Sequence, residues 1–591
     1  MRRDAMIKIH AFFTIGVFMA SAIQASANKE TWQQTFAKVS DEYFDQVYFH
    51  YAPTQGTLVG YHQYDAQLED NSRANIDAEI AALKSFEKRI EAIHPDNSSA
   101  SFGPRSDREI VLANIRSQLL TLEVIRPWEK NPDDYSSTCA NGAFSLMERK
   151  FASPDERLRS LISREKQMPT LLFDARVNLQ NPPRVFTQIA IEQLPDIISF
   201  FERDVPTAFV DAKDAALKAE FAQTNAAVIA ALKDYLVWLK TDLLSKSNGD
   251  FRIGADTFAK KLKYDEMVDL SLDKLLEIGW ADMRKNQAHF KQVAKELEPN
   301  KEPKAVLEEL GEMHPAPDQL LNSFRATFDS LISFIREHQI VTIPSDVRPI
   351  VEETPPFMRA TTFASMDTPG PFETQSTEAY FNVTLPDPSL KPEEVEGFMH
   401  SFNIGTVIST AVHEAYPGHY IQFLWLPKAP SRVRKLLGAN TDIEGWAHYT
   451  EQMMLDEGYG QPGTGAKDER EAKFLRLGQL QDALLRNARL IVGIQMHSGK
   501  MSFDEAVEFF QKEGYQSKET ATMETKRGAG DPTYLYYTLG KLEIMKLRED
   551  MKKMQGAAFS LEKFHDDFLK QGFPPIKIVR EAMMGDDSPT L

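Results

Sequence analysis

The sequence predicts a large, mostly α-helical fold interrupted by one small β-sheet. Three observations predict it. Apolar residues recur at i, i+3 and i+4 spacing through most of the 591 residues, the period of a helix with one buried face. One stretch, 339–393, is instead rich in Pro and Thr and contains EAYFNVTLP at 378–386, whose β-branched and aromatic residues suit a strand. No repeat of fixed period runs through the chain, so a solenoid is not predicted.

The N-terminus comes first. Arg2, Arg3 and Lys8 precede the apolar run AFFTIGVFMASAI at 11–23, and Ala25-Ser26-Ala27 follows. This order of basic, apolar and small residues is that of a cleavable secretory signal. Residues 1–27 are therefore expected to be removed and the protein to be periplasmic or secreted, with no membrane anchor after cleavage. No Cys follows the apolar run, which argues against lipidation there. Residues 28–591 carry 65 Lys+Arg against 85 Asp+Glu, a net charge of -20. That balance argues against nucleic acid as a partner. With Cys139 as the single cysteine, a fold stapled by intramolecular disulfides is excluded.

Helical periodicity then marks 75–96, 108–125, 157–180, 190–203, 211–245, 266–298 and 317–338. Beyond the Pro/Thr-rich stretch it marks 398–426, 441–457, 468–498, 503–513 and 533–553. The small sheet falls just before the segment AVHEAYPGHYIQ at 411–422. An exposed edge of that sheet suits an extended peptide, which can add a strand to it. GQPGTGAK at 460–467 follows a helix and lacks an adjacent G-K-[ST], so it reads as an exposed turn, not a phosphate loop.

Chemistry concentrates in two of these segments. The apolar run FNIGTVISTAV at 402–412 delivers His413 and Glu414 at its end. Ionisable groups there need partners, and a zinc ion is one that neutral imidazole and carboxylate satisfy. His419 follows six residues after His413. On a straight helix that separation is about 120° and about 9 Å, too splayed for one ion. Pro417 removes a helical hydrogen bond and clashes with the preceding turn. A bulge there is expected to absorb the extra residues and return His419 to the face of His413. In IEGWAHYTEQ at 443–452, Glu444, His448 and Glu451 share one helical stripe and offer the remaining ligand. If the 413–419 segment stays unbulged, His448 is an alternative ligand, since Glu444 and His448 form an i, i+4 pair.

These residues also carry a resemblance. HEAYPGHY at 413–420 resembles the H-E-x-x-P-G-H signature of the bacterial domain-of-unknown-function family 885, which is zinc-metallopeptidase-like. EGWAHYTE at 444–451 resembles that family's E-G-W motif, and LVGYHQYDAQLED at 58–70 its G-x-H-x-Y-D segment. RGAGDPTYLYYTLGKLEI at 527–544 resembles its C-terminal segment ending in Y-x-x-G. That segment departs from the family's common P-G-Q-A at Asp531-Pro532-Thr533-Tyr534.

The resemblance implies a helical metallopeptidase-like fold similar to the thimet-oligopeptidase and carboxypeptidase-Taq groups. After the signal peptide at 1–27, the chain is expected to divide into a helical scaffold half at 28–338 and a catalytic half at 339–591. It implies Zn2+ held by His413, His419 and Glu444, with Glu414 as general base acting on a peptide substrate. Tyr537 is the first choice as oxyanion donor, with Tyr536 and Tyr534 as neighbours not separable from it in sequence. Arg527 is a candidate for gripping a substrate carboxylate. Glu451 and His448 are expected to support ligands from behind. The rivals are a zinc hydrolase of a non-peptide amide or ester, and a metal-containing binding protein without activity.

Overall fold

A computed structural model describes residues 31–96, 102–355, 358–359 and 362–591. The proposed signal peptide at 1–27 lies outside the described residues. Helices dominate, and the sheet is small, as the periodicity implies. Strands β1 (Ile350–Glu353), β2 (Ala364–Asp367) and β3 (Tyr380–Val383) pair in the order β1-β3-β2. β1 runs parallel to β3, with Val351 opposite Phe381. β2 runs antiparallel to it, with Ala364 opposite Val383. Among the described residues β2 is paired on one side only, which leaves the expected free edge. Central β3 buries Phe381, Asn382 and Val383, and Phe381 packs edge-on against Phe324.

Six helices position the site. They are α1 (Ile404–Glu414), α2 (His419–Trp425), α3 (Asn440–Asp456), α4 (Glu469–His497), α5 (Lys518–Gly530) and α6 (Tyr536–Gln555). The predicted run 398–426 is thus three helical pieces, not one. The helix Pro392–Met399 and a 3-10 turn end at Asn403, whose side chain accepts from the Thr406 N–H at 3.0 Å and starts α1. The second break is at Pro417. The run 266–298 holds one helix, Leu272–Leu297, and a separate helix at Ala255–Asp265 precedes it. The Gly460–Lys467 segment is the expected surface turn, closed by two-residue strands.

Two pairs of helices meet backbone to backbone, and glycine makes both contacts. A Cβ on Gly405 of α1 would stand 2.9 Å from the Cα of Gly478 in α4. A Cβ on Gly445 of α3 would stand 2.6 Å from the Cα of Gly540 in α6. Carbon atoms ordinarily meet at about 3.5–4.0 Å, so neither crossing admits a side chain. The second crossing explains two sequence motifs at once. The glycines of E-G-W and Y-x-x-G are contact partners, and their union sets Glu444 near Tyr537.

The core is shared across residue 338. One apolar cluster joins Phe258, Phe290 and Leu310 with Leu480, Leu490 and Tyr534. Another joins Tyr43, Phe86 and Ile115 with Val433, Leu437 and Ile578. Among the described residues no helix is long and apolar enough to cross a membrane.

Candidate metal centre and active-site cleft

α1 ends at Glu414, and the chain turns through Ala415–Gly418 before α2 starts at His419. The Tyr416–Pro417 peptide is cis. The Gly418 N–H donates back to the Val412 carbonyl at 2.9 Å. A Cβ on Gly418 would stand 1.8 Å from the carbonyl oxygen of His413, so this position admits only glycine. The Trp446 indole N–H donates to the Pro417 carbonyl at 3.0 Å and ties the turn to α3. The expected bulge is therefore corrected to a full helix break. Proline cannot donate the next helical bond, and the chain leaves the helix instead of stretching it.

The break still brings the two histidines together. Their ring centroids are 4.9 Å apart at 87°. His413 Nε2 and His419 Nε2 each lie 3.4 Å from Glu444 Oε2. Ligand bonds of 2.0–2.2 Å at tetrahedral angles place ligand atoms about 3.3–3.6 Å apart, so the observed spacing fits one zinc ion. Glu444 Oε2 is buried and has no hydrogen-bond partner. An orphaned carboxylate oxygen costs free energy unless a cation satisfies it.

The match of a family model settles the ancestry. A model of a bacterial protein of unknown function, DUF885, fits residues 53–583. The chain belongs to the DUF885 family. This DUF885 chain is similar to a candidate lipoprotein of unknown function from Shewanella oneidensis, at 25% identity and a TM-score of 0.74. The similarity covers 93% of this chain and 99% of that one. A candidate lipoprotein from Colwellia psychrerythraea shares the fold at 18% identity and a TM-score of 0.77, with the same coverage. No curated protein matches the chain.

Behind the three converging atoms, the DUF885 chain supplies an acceptor to each imidazole. His413 Nδ1 meets Glu451 Oε1 at 2.7 Å. His419 Nδ1 faces Gln422 Oε1 at 3.4 Å, and the Gln422 amide donates to Asp442. A carboxylate or amide oxygen only accepts. Each Nδ1 therefore carries a proton, and each Nε2 faces Glu444, where it would offer its lone pair to a bound cation. Glu451 is fully buried and also meets His448 Nδ1 at 3.1 Å and the Arg486 guanidinium at 3.0 Å. Burial alone raises a carboxyl's pKa, yet Arg486, His448 and His413 hold that of Glu451 below the usual carboxylate range. Burial pushes His448 down to about 3, so it stays neutral. His448 is not among the converging atoms, and it stands behind Glu451 as expected.

Burial also opposes charge on His413, but the carboxylates of Glu444 and Glu451 outweigh it and hold its pKa at about 9. For Glu444 the histidines outweigh burial, and its carboxyl stays well below the ordinary range. Both shifts have one cause, the close approach of imidazole and carboxylate.

The centre lies in the wall of a cleft of about 620 Å³. His413, Glu414, His419, Glu444, Arg527 and Tyr537 all line it. Ala364, Ser365 and Met366 of β2 line it too, and Phe186 and Glu192 face it from the N-terminal helices. The three tyrosines now separate. Tyr534 is fully buried against Gly528. The Tyr536 hydroxyl donates to Asp531 at 2.6 Å. Only Tyr537 lines the cleft, and the Arg527 guanidinium donates to its oxygen at 2.8 Å. The Tyr537 O–H is thereby left for a further acceptor.

Sequence reasoning missed Arg489 and Glu524, which form a buried two-point ion pair at 2.6 and 2.7 Å. Arg489 stands 4.7 Å from the Tyr537 ring centroid. The signal was present: an arginine opens the apolar run LIVGIQM at 490–496, where a charge needs a buried partner.

Proposed function

We propose that this chain is an exported zinc-dependent peptidase with the helical metallopeptidase-like fold that its motifs resemble. One observation carries the reading. Two imidazole Nε2 atoms and a partnerless Glu444 oxygen converge at the spacing of a tetrahedral ion, each ring backed by an acceptor. Two histidines and a glutamate are a catalytic zinc set that leaves a position open. A structural site needs no carboxylate such as Glu414 beside its ligands.

When bound, zinc polarises a carbonyl and acidifies water. The residues of the chain do the rest. Glu414 takes the proton of the attacking water and returns it to the leaving amine. Tyr537 donates its O–H to the oxygen on which negative charge develops, with Arg527 fixing the phenol from the other side. The free edge of β2 offers main-chain hydrogen bonds to an extended substrate. Export is supported by the signal-like residues 1–27 and by similarity to candidate lipoproteins. The only cysteine, Cys139, is buried, so we propose a soluble periplasmic form.

The test compares peptide cleavage by the 28–591 chain with that by Glu414→Gln. The reading expects zinc in both and cleavage only in the parent. Zinc in both with no peptide cleaved by either, but turnover of an ester or non-peptide amide by the parent, would transfer the machinery to another acyl substrate. Zinc without any turnover would point to a binding role.

A further inference from the structure

A second cluster of ligating side chains lies at the far end of α1. His314, Glu396 and His400 bring one nitrogen or oxygen each within 4.8 Å of one another. His314 Nε2 is 3.0 Å and His400 Nε2 3.6 Å from the same atom, Glu396 Oε1. These distances bracket the ligand spacing of about 3.3–3.6 Å expected around a tetrahedral zinc ion.

Three features show a prepared arrangement. First, His314 Nδ1 meets the Pro315 carbonyl at 2.9 Å. A carbonyl only accepts, so Nδ1 carries a proton, and Nε2 is left to face the Glu396 carboxylate. At 3.0 Å, Nε2 and Oε1 share a positive charge, either a proton or a bound cation. One proton bridges two atoms; a cation bridges three, and His400 is the third. Second, the His400 ring lies against Gly311, where an added Cβ would come within 3.2 Å of it. The missing side chain gives the imidazole its seat. Third, His314 is only 10% exposed although it lies in a loop, so its ring is fixed before any ligand arrives.

We propose that His314, His400 and Glu396 form a second binding site for a divalent transition metal ion. Two imidazoles and one carboxylate select the zinc, copper and nickel class over calcium or magnesium, which require mainly oxygen. The Glu396 side chain is 58% exposed, so water completes the coordination, and exchange with solvent is open. The site differs in consequence from the buried centre. Asn403, the cap of α1, donates to the His400 carbonyl at 3.2 Å. The Ile404 N–H donates to the Met313 carbonyl at 2.8 Å. An ion here ties the loop before His314 to the start of the helix that ends in His413 and Glu414, 11 residues and about 16 Å away. The inference is independent of the proposed peptidase activity.

Zinc titration of the 28–591 chain against a competing chromophoric chelator tests it. Two equivalents of unequal affinity are expected. His413→Ala should lose the tighter and keep the weaker. His400→Ala and His314→Ala should keep the tighter and lose the weaker. Removing a mere outer partner weakens metal binding roughly 10- to 100-fold, so losing a ligand should weaken the second equivalent at least about tenfold. Glu396→Gln changes an exposed side chain and leaves both histidines. It guards against a misfolded histidine variant and should weaken the same equivalent. A parent chain whose only equivalent is the one lost in His413→Ala, or a second one unchanged in His400→Ala and Glu396→Gln, overturns the proposal.

Discussion

Gly445→Ala probes how the site is built without touching any ligand. The new methyl would stand 2.6 Å from the Gly540 Cα and 2.7 Å from its carbonyl carbon. Ordinary contact is about 3.5–4.0 Å, so α3 and α6 must part by roughly 1 Å. Overpacking of this kind costs about 1–3 kcal/mol. Alanine recovers about 0.8–1.0 kcal/mol of helix propensity over glycine. The net loss of stability is thus small, about 0–2 kcal/mol, and Tm is a poor readout. Function is the better one. α3 carries Glu444 and Glu451 while α6 carries Tyr537, so the parting falls across the reaction centre. A misplacement of 1 Å costs on the order of 100-fold in rate. The assay is zinc affinity and kcat/KM for a cleaved peptide, beside Gly397→Ala. Gly397 is helical with no atom near its Cβ position, so that control should match the parent. Gly445→Ala with unchanged zinc affinity and unchanged kcat/KM would refute the reasoning.

Three more outcomes follow from the geometry. Glu451→Gln leaves one oxygen for the His413, His448 and Arg486 donors, so zinc affinity should fall roughly 10- to 100-fold, measured by chelator competition. Tyr537→Phe should lower kcat by roughly 100-fold or more, as loss of an oxyanion donor does, with zinc content and KM little changed in steady-state kinetics. Glu543, buried and given a hydrogen bond by Thr590 at 2.6 Å, has its pKa raised by burial to about 8 from an ordinary 4.5. The native state holds that proton where the unfolded chain has lost it, so this contribution to stability is full below 4.5 and drains as pH rises through 8. Thermal melts at pH 6 and pH 8.5 should show a smaller difference in Glu543→Gln than in the parent.

Much of the fold could be read from periodicity because long helices bury one face. α3, predicted over 441–457, spans 440–456, and α4, predicted over 468–498, spans 469–497. α5 was invisible for the converse reason. KETATMETKRGAG is polar and small, with no apolar stripe, and it is held by the Arg489–Glu524 pair and the packing of its glycines. Pro417 announced a disturbance in the sequence but not its kind, since a bulge and a break both relieve the lost hydrogen bond. The choice was made by Trp446 and Gly418, which act only once α3 is in place. The convergence of His413, His419 and Glu444 was readable because they lie in two motifs of unusual spacing. Their outer partners were less so: Arg486 and Gln422 sit on ordinary helical positions, and only tertiary contact gives them a role.

The central claim rests on one cluster of atoms, and anomalous diffraction at the zinc edge from crystals of the 28–591 chain tests it most directly. The account predicts a peak within bonding distance, about 2.0–2.2 Å, of His413 Nε2, His419 Nε2 and a Glu444 oxygen. Zinc-supplied crystals with no peak among these three atoms would contradict it.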